Sequence, residues 1–362
     1  LAGKLRIEDA VAAYLPDLPW LDPRVTIMHL LTHTSGIANY ITQPGFWEHV
    51  SKRAYTLAEH IAHIGTLQPA FAPGERYGYS NSGYALLGLL IERVAGVPYD
   101  DYLRTAIFEP LGMQDTRFLW DEPVVPRLAG RYEPAKPGGR VSGYERAPYL
   151  SAIFTYANGG LVSTVRDLVR WDAALREHQL LPAEAEVRMQ QPVTLNDGRS
   201  MGYGLGWGLS HYRGHAAVHH AGGVLGYSAF LGRFVEDGLT IIALSNLGGF
   251  DGSGLAAEIA TSVLDLPAPE GIPVDVPPEQ LAAAEGRYTS LVHERLEVVR
   301  AGGRLELRGT RHGPLIPLGN DTFLLAGNAD MTVRFEALKD GKYARATAVV
   351  PLYWFEVERM AE

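Results

Sequence analysis

The 362 residues contain no cysteine. This absence removes disulfide bridges, thiolate nucleophiles and Cys-ligated zinc together, although it leaves the redox compartment open. No run of 18 apolar residues occurs, so no membrane-spanning helix is expected. The formal net charge of −9 has no block of like charges behind it and no Lys/Arg stripe able to follow a phosphate backbone, which argues against nucleic acid as a partner. Internal repeats and low-complexity tracts are absent too. The sequence opens at Leu1 without an initiator Met, a basic stretch or an apolar leader, as if inside a domain. A periplasmic or secreted location follows if a signal peptide stands upstream, a cytoplasmic one otherwise. What is present is globular material, 46% apolar and 20% charged, sufficient for one large domain and a small one.

The first two thirds alternate helical patterns with short strand signals. "TIMHLLTHTSG" places Ile27, Met28, Leu30 and Leu31 on one helical face and stops at Gly36. In "SNSGYALLGLLIERVAGVP", Leu86, Leu87, Leu90, Ile91 and Val94 mark a buried helix, with Asn81 or Ser82 as cap and Gly96 as terminator. "VSTVRDLVRWDAALRE" is a second helix, capped by Ser163 or Thr164 with Asp167 in the first turn. Strands follow at 203–212, 216–223 and in a hairpin turning at Val235-Glu236-Asp237-Gly238, then a helix over 254–266. Residues 267–280 hold five prolines and read as an interdomain spacer. Beyond them, short alternating strands broken by Ala301-Gly302-Gly303 and Lys339-Asp340-Gly341-Lys342 predict a small antiparallel barrel of about 80 residues.

Three stretches carry candidate chemistry. In "GYSNSG", Tyr79 and Asn81 are two residues apart, so an extended backbone turns both to one side and Ser80 to the other. A phenol beside a carboxamide suits a proton relay and an amide anchor, while the same residues also suit a helix start in which Tyr packs and Asn caps. In "HHAGGVLGY", His220 runs into Ala221, Gly222 and Gly223. There the backbone is able to approach a ligand, with the Gly223 N–H as an oxyanion donor, or the stretch is a glycine-rich turn with surface histidines. His211, His215, His219 and His220 lack a carboxylate at ligand spacing, and no His-Glu-x-x-His occurs, which argues against a metal site. His33 and Ser35 in "LLTHTSGIANY" sit beside Gly36 and Asn39 and read as a helix end.

Taken in order, "GKLRIEDAVAAYLPDLP", "VTIMHLLTHTSGI", "YSNSGYALLGLLIERVAGVPYDDYL", "IFEPLGMQDT", "NGGLVSTVRDLVRW", "YGLGW" and "HAGGVLGYSAFLGRFVEDGLTIIALSN" resemble the serine hydrolases that include class C β-lactamases, D-Ala-D-Ala carboxypeptidases, D-aminopeptidases and related esterases. The resemblance covers roughly residues 1 to 265. It implies an α+β fold, a penicillin-binding-protein-like domain over 1–266 whose antiparallel sheet is flanked by helices beside an all-helical region. The spacer 267–280 and a lipocalin-like barrel over 281–362 follow. Such proteins act through an acyl-enzyme on small ester, amide or peptide substrates, without metal or organic cofactor. Their three site elements are a Ser-x-x-Lys helix start, a Tyr-x-Asn loop and a Lys/His-x-Gly strand. Tyr79-Ser80-Asn81 matches the second and His220-Ala221-Gly222 the third, with Gly223 N–H as half of the oxyanion hole. Histidine in place of lysine holds an anion less firmly at neutral pH, which tilts the expectation from β-lactams toward esters or peptides.

The first element has no match. No serine has a lysine three residues on, Ser51-Lys52 has the wrong spacing, and no Gly-x-Ser-x-Gly elbow occurs. In the family the Ser-x-x-Lys helix precedes the stretch that reads "AGKLRIED" here, so its place is expected before residue 1, and these 362 residues are expected to be inactive by themselves. The rival expectation is a binding protein that keeps the cleft for peptidoglycan fragments or a protein partner.

Overall fold

Thr26 and Thr56 open two helices in the same way. Each side-chain oxygen accepts the backbone N–H three residues on, while His29 or Glu59 reaches back to the threonine N–H. The computed structural model describes residues 3–119, 124–135, 141–267, 273–290, 295–309, 312–326, 328 and 330–360. In chain order the helices are α1 (Ile27–Leu31), α2 (Leu57–Gly65), α3 (Asn81–Ala95), α4 (Tyr99–Leu103), α5 (Tyr156–Gly159), α6 (Val165–Arg176), α7 (Ala183–Met189), α8 (Gly252–Val263) and α9 (Pro278–Ala284). The strands are β1 (Arg117–Phe118), β2 (Tyr132–Ala135), β3 (Gly143–Arg146), β4 (Leu161–Val162), β5 (Val193–Thr194), β6 (Ser200–Met201), β7 (Gly208–Tyr212), β8 (His215–Val224), β9 (Tyr227–Phe234) and β10 (Leu239–Ser245). Eight more follow, β11 (Gly286–Thr289), β12 (Arg295–Ala301), β13 (Arg304–Arg308), β14 (Gly313–Gly319), β15 (Thr322–Leu325), β16 (Thr332–Lys339), β17 (Lys342–Val350) and β18 (Tyr353–Arg359).

Two compact units emerge. The first takes residues 1–209, 218–233 and 240–252. Its helical core gathers Val11, Leu15, Leu30, Tyr40, Ile61 and Leu86, all essentially buried. α3 is central to that core and buries Ala85, Leu86 and Leu90. Gly88 lets α5 lie against it, because a Cβ there would stand 2.3 Å from that of Ala157. α3 ends where expected, at Gly96 in the left-handed conformation (φ 76°). The start differs from expectation, since the cap is Ser80 rather than Asn81 or Ser82. Ser80 has the extended backbone of a cap and its Oγ accepts the Gly83 N–H. The first helix also stops earlier than expected, at Thr32, since His33 (φ 57°) has already left the right-handed helical region.

The antiparallel sheet has the order β10-β9-β8-β7, with β8 and β9 in register from Val218↔Arg233 to Val224↔Tyr227. β9 turns into β10 through residues 235–238, as the hairpin signal predicts. The strand expected over 203–212 is shorter, beginning at Gly208. Tyr203 joins it only by an isolated bridge to Gly208.

The second unit takes residues 210–217, 234–239 and 253–362. β11 to β18 pair in sequence, and β11 meets β18 to close the barrel through Tyr288↔Arg359 and Thr289↔Glu358. Alternate residues fill the interior, among them Leu296 and Val298, Leu305 and Leu307, Phe355 and Val357. The barrel is therefore packed with side chains. The Arg359 guanidinium donates to the carbonyls of Ala283, Glu285 and Tyr343 and to the Tyr288 hydroxyl, each at 2.7 Å. It thereby satisfies carbonyls at the end of α9 that no helical N–H reaches. Of the proline-rich stretch, residues 268–272 lie outside the described residues and Pro278–Ala284 is helical.

Candidate functional site

The loop from His33 to Tyr40 builds the platform on which Tyr79 stands. The His33 carbonyl accepts the Gly78 N–H at 2.9 Å, and His33 Nδ1 accepts the Ser80 N–H at 3.1 Å. Ser80 Oγ donates to the Ile37 carbonyl at 2.8 Å, and Ser82 Oγ to that of Ala38 at 2.6 Å. Both serines are buried and committed to the backbone, so Ser80 is a structural hydroxyl. The strand-like approach to α3 leaves Tyr79 on the other side, with its ring 4.2 Å from that of His33. His33 is 1% exposed and also packs on Tyr84 and Tyr203. Burial, with a contribution from nearby His220, holds its pKa well below the usual value.

Asn81 is the first residue of α3, and its amide is gripped at both ends. Its Nδ2 donates to Asn39 Oδ1 at 3.4 Å, and its Oδ1 accepts from Asn158 Nδ2 at 3.3 Å. Asn158 Nδ2 also reaches the Tyr40 hydroxyl at 3.0 Å, and that hydroxyl donates to the Phe154 carbonyl. One chain of polar contacts thus links α3, α5 and the loop before α2.

His220 lies on β8, half-buried, and shares a hydrogen bond of 3.0 Å between its Nε2 and the Tyr203 hydroxyl. Its ring centre is 6.2 Å from that of Tyr79. Burial lowers the His220 pKa, so the imidazole is neutral at pH 7. Burial likewise pushes the Tyr203 phenol upward. Ala221, Gly222 and Gly223 continue β8 as exposed residues opposite Phe230, Ala229 and Ser228. A Cβ at Gly222 would meet nothing within 4 Å, so packing does not require glycine there.

Tyr79 and His220 border one cavity of 270 Å³, together with Asn158, Gly206 and an aromatic wall that includes Tyr99 and Tyr156. Asn81, Ala221, Gly222 and Gly223 do not line it. Asn81 connects to it through Asn158. His219 faces the other way, buried against Phe230. No cluster of three or more His, Asp or Glu able to hold a metal is found among the described residues. Sequence reasoning singled out neither Tyr203 nor Asn158, although both fall inside stretches that carry the resemblance. Their importance comes from spatial neighbours 17 and 77 residues away.

Residues 1–263 match the family model described as Beta-lactamase. Penicillin-binding protein 4* of Bacillus subtilis (strain 168) is 32% identical over 261 residues, which cover 67% of this chain and 56% of that protein. Esterase EstB of Burkholderia gladioli is 30% identical over 286 residues, 67% of this chain and 71% of that one. A solved D-stereospecific amidohydrolase from Streptomyces sp. superposes with a TM-score of 0.61 at 27% identity, over 72% of this chain and 79% of its own. The chain spans little more than half the length of the first of these relatives.

Proposed function

The chain belongs to the beta-lactamase family, and we propose that it carries the proton-relay and substrate-binding part of a serine hydrolase working through an acyl-enzyme on an ester, amide or D-amino-acid peptide bond. The observation that carries this reading is the meeting of Tyr79 and a neutral His220 on one cavity, with the amide of Asn81 fixed behind it. In this reading the Tyr79 phenol passes a proton between the nucleophile and the leaving group. Asn81 anchors the substrate amide or the lysine partner of the nucleophile. The Gly223 N–H supplies half of the oxyanion hole, and Ala221 and Gly222 offer a strand edge on which the substrate lies. The esterase and amidohydrolase relatives support ester and amide chemistry alike.

No serine of the 362 residues has a lysine three residues on. These residues alone are therefore expected to retain at most roughly 10³ to 10⁴ over water, the level that binding and oxyanion donors leave in related chemistry. A fluorophosphonate probe tests the assignment. Residues 1–362 should take no adduct. The same residues joined to a Ser-x-x-Lys segment should take one on that serine, with Tyr79→Phe lowering kcat/KM by about 10²-fold or more. An extended protein that folds and takes no serine adduct sinks the hydrolase reading. The second reading is a cleft that binds peptidoglycan fragments or a protein partner without turnover, and a folded, unlabelled protein that still binds muropeptides would support it.

A further inference from the structure

His33 leaves α1 with φ 57°, a left-handed backbone that glycine and asparagine adopt most readily. The side chain at this turn is nevertheless an imidazole, 1% exposed. Glycine would meet the backbone requirement by itself, so what the ring adds lies in its contacts. These converge on Tyr79 from both sides. The His33 carbonyl accepts the Gly78 N–H at 2.9 Å and Nδ1 accepts the Ser80 N–H at 3.1 Å, so one residue holds the amides on either side of Tyr79. Its ring lies 4.2 Å, centre to centre, from that of Tyr79 and 5.0 Å from that of Tyr203, whose hydroxyl shares the 3.0 Å hydrogen bond with His220 Nε2. His33 thus touches the Tyr-x-Asn element directly and the His-x-Gly element through one intermediary.

We infer that His33 is a positioning residue for the proton relay, with Nδ1 as an obligate acceptor and the ring as a backing plate that fixes where the Tyr79 phenol stands relative to His220. The relay rests on the hydrolase reading above; the clamp on Tyr79 does not. A backbone N–H is always a donor, so Nδ1 is the unprotonated nitrogen and the proton of the neutral ring sits on Nε2. A second proton would go onto Nδ1 and set two donors face to face. Enclosure of the ring by Tyr77, Tyr79, Tyr84 and Tyr203 disfavours that charged form.

Nitrogen NMR of residues 1–362 at pH 7 should show His33 with a bare Nδ1 and a protonated Nε2. Two substitutions then separate the acceptor from the bulk. His33→Asn keeps an oxygen at the δ position and suits the left-handed backbone, whereas His33→Leu keeps volume and loses the acceptor. Measured against the amides of Leu86 and Leu90 in α3, the Ser80 amide should exchange with solvent about tenfold faster in His33→Leu, the worth of one such hydrogen bond, and within about threefold of the parent in His33→Asn. A general loss of stability would move all three amides together. In the protein extended by a Ser-x-x-Lys segment, His33→Leu should lower kcat by about tenfold or more while KM changes by less than about threefold, and His33→Asn should recover about threefold or more of that loss. A protonated Nδ1 in the parent, a Ser80 amide no better protected in His33→Asn than in His33→Leu, or an active enzyme whose kcat ignores His33→Leu overturns the assignment. Should His33→Leu fail to fold, the nitrogen spectrum of the parent and Ser80 exchange in His33→Asn still decide it. Failed fluorophosphonate labelling with the Ser80 result intact would remove the hydrolase and leave the clamp.

Discussion

Two side chains of the site are defined by what their burial does to a proton. His220 sits beside the Tyr203 hydroxyl in a setting that lowers its pKa, and His33 is deeper still. Imidazole nitrogen shifts followed by NMR should therefore show His220 titrating below 6.5 and His33 lower than that. A His220 midpoint at or above 6.5 would mean that the ring is solvated and its neutrality at pH 7 needs another cause. An extended Tyr-x-Asn and a His-x-Gly-Gly each have a chemical use, but residue type left a helix start and a glycine-rich turn open, and it was the order of motifs in the resemblance that singled out Tyr79 and His220 as candidates. The capping role was assigned to the wrong neighbour. Ser80, Asn81 and Ser82 are all competent caps, and only the contacts of Ser80 with Ile37 and of Ser82 with Ala38 decide which hydroxyl faces the helix end. Asn39 was read only as part of a helix end and Asn158 was silent for a related reason, since both hold Asn81 across large sequence separations.

Secondary elements are held to one another by a buried ionic group that periodicity does not reveal. Arg233 on β9 is 3% exposed, and it donates from Nε to Asp172 of α6 and from Nη1 to Glu186 of α7, each at 2.9 Å. Asp172 also accepts from Thr240 Oγ1 at 3.1 Å and pairs with Arg176 at 3.2 Å. Replacing Arg233 by Met leaves two carboxylates buried without that cation, so the expected loss is about 3 to 5 kcal/mol, measured as a lower midpoint in urea unfolding. A cost below about 1 kcal/mol would mean that water reaches the carboxylates once the guanidinium is gone. α3 was readable because its apolar periodicity matches its burial, and the β9–β10 hairpin because of its turn, whereas α6 was read from its cap and length even though it buries Asp167 and Asp172 and leaves Val165 and Val169 exposed. Pairs such as β1 with β4 and β5 with β6 have two residues per strand. That is too few to set a period, so they became visible only through their partners.

Across the whole molecule, buried histidines make stability depend on pH. Burial lowers the pKa of His33 and His220, and brings His60 to about 4 and His219 to about 3. Each imidazole binds its proton more readily in the unfolded chain. The stability they permit is complete above about 6.5 and falls as the pH drops below it, by about 1.4 kcal/mol per pH unit for each histidine still neutral in the fold. The urea midpoint at pH 5.5 should lie clearly below that at pH 7.5, and equal midpoints would contradict the burial of these rings. The α+β character and the antiparallel barrel were both legible, since regular strand alternation with Gly turns has few other outcomes. The helix at Pro278–Ala284 was not, because proline density masked the Pro-initiated turn that begins it. Barrel closure has one more consequence, which concerns synthesis. β11 finds its second neighbour only in β18, and the Arg359 guanidinium completes the end of α9 from that last strand. While the chain is still being made, β11 waits with one side unpaired. The helical core, whose members all lie before residue 160 apart from Val224 and Leu225, has by then most of the side chains it needs. The two parts should thus become protease-resistant in order of synthesis, with the barrel protected only after Arg359 has been added and released.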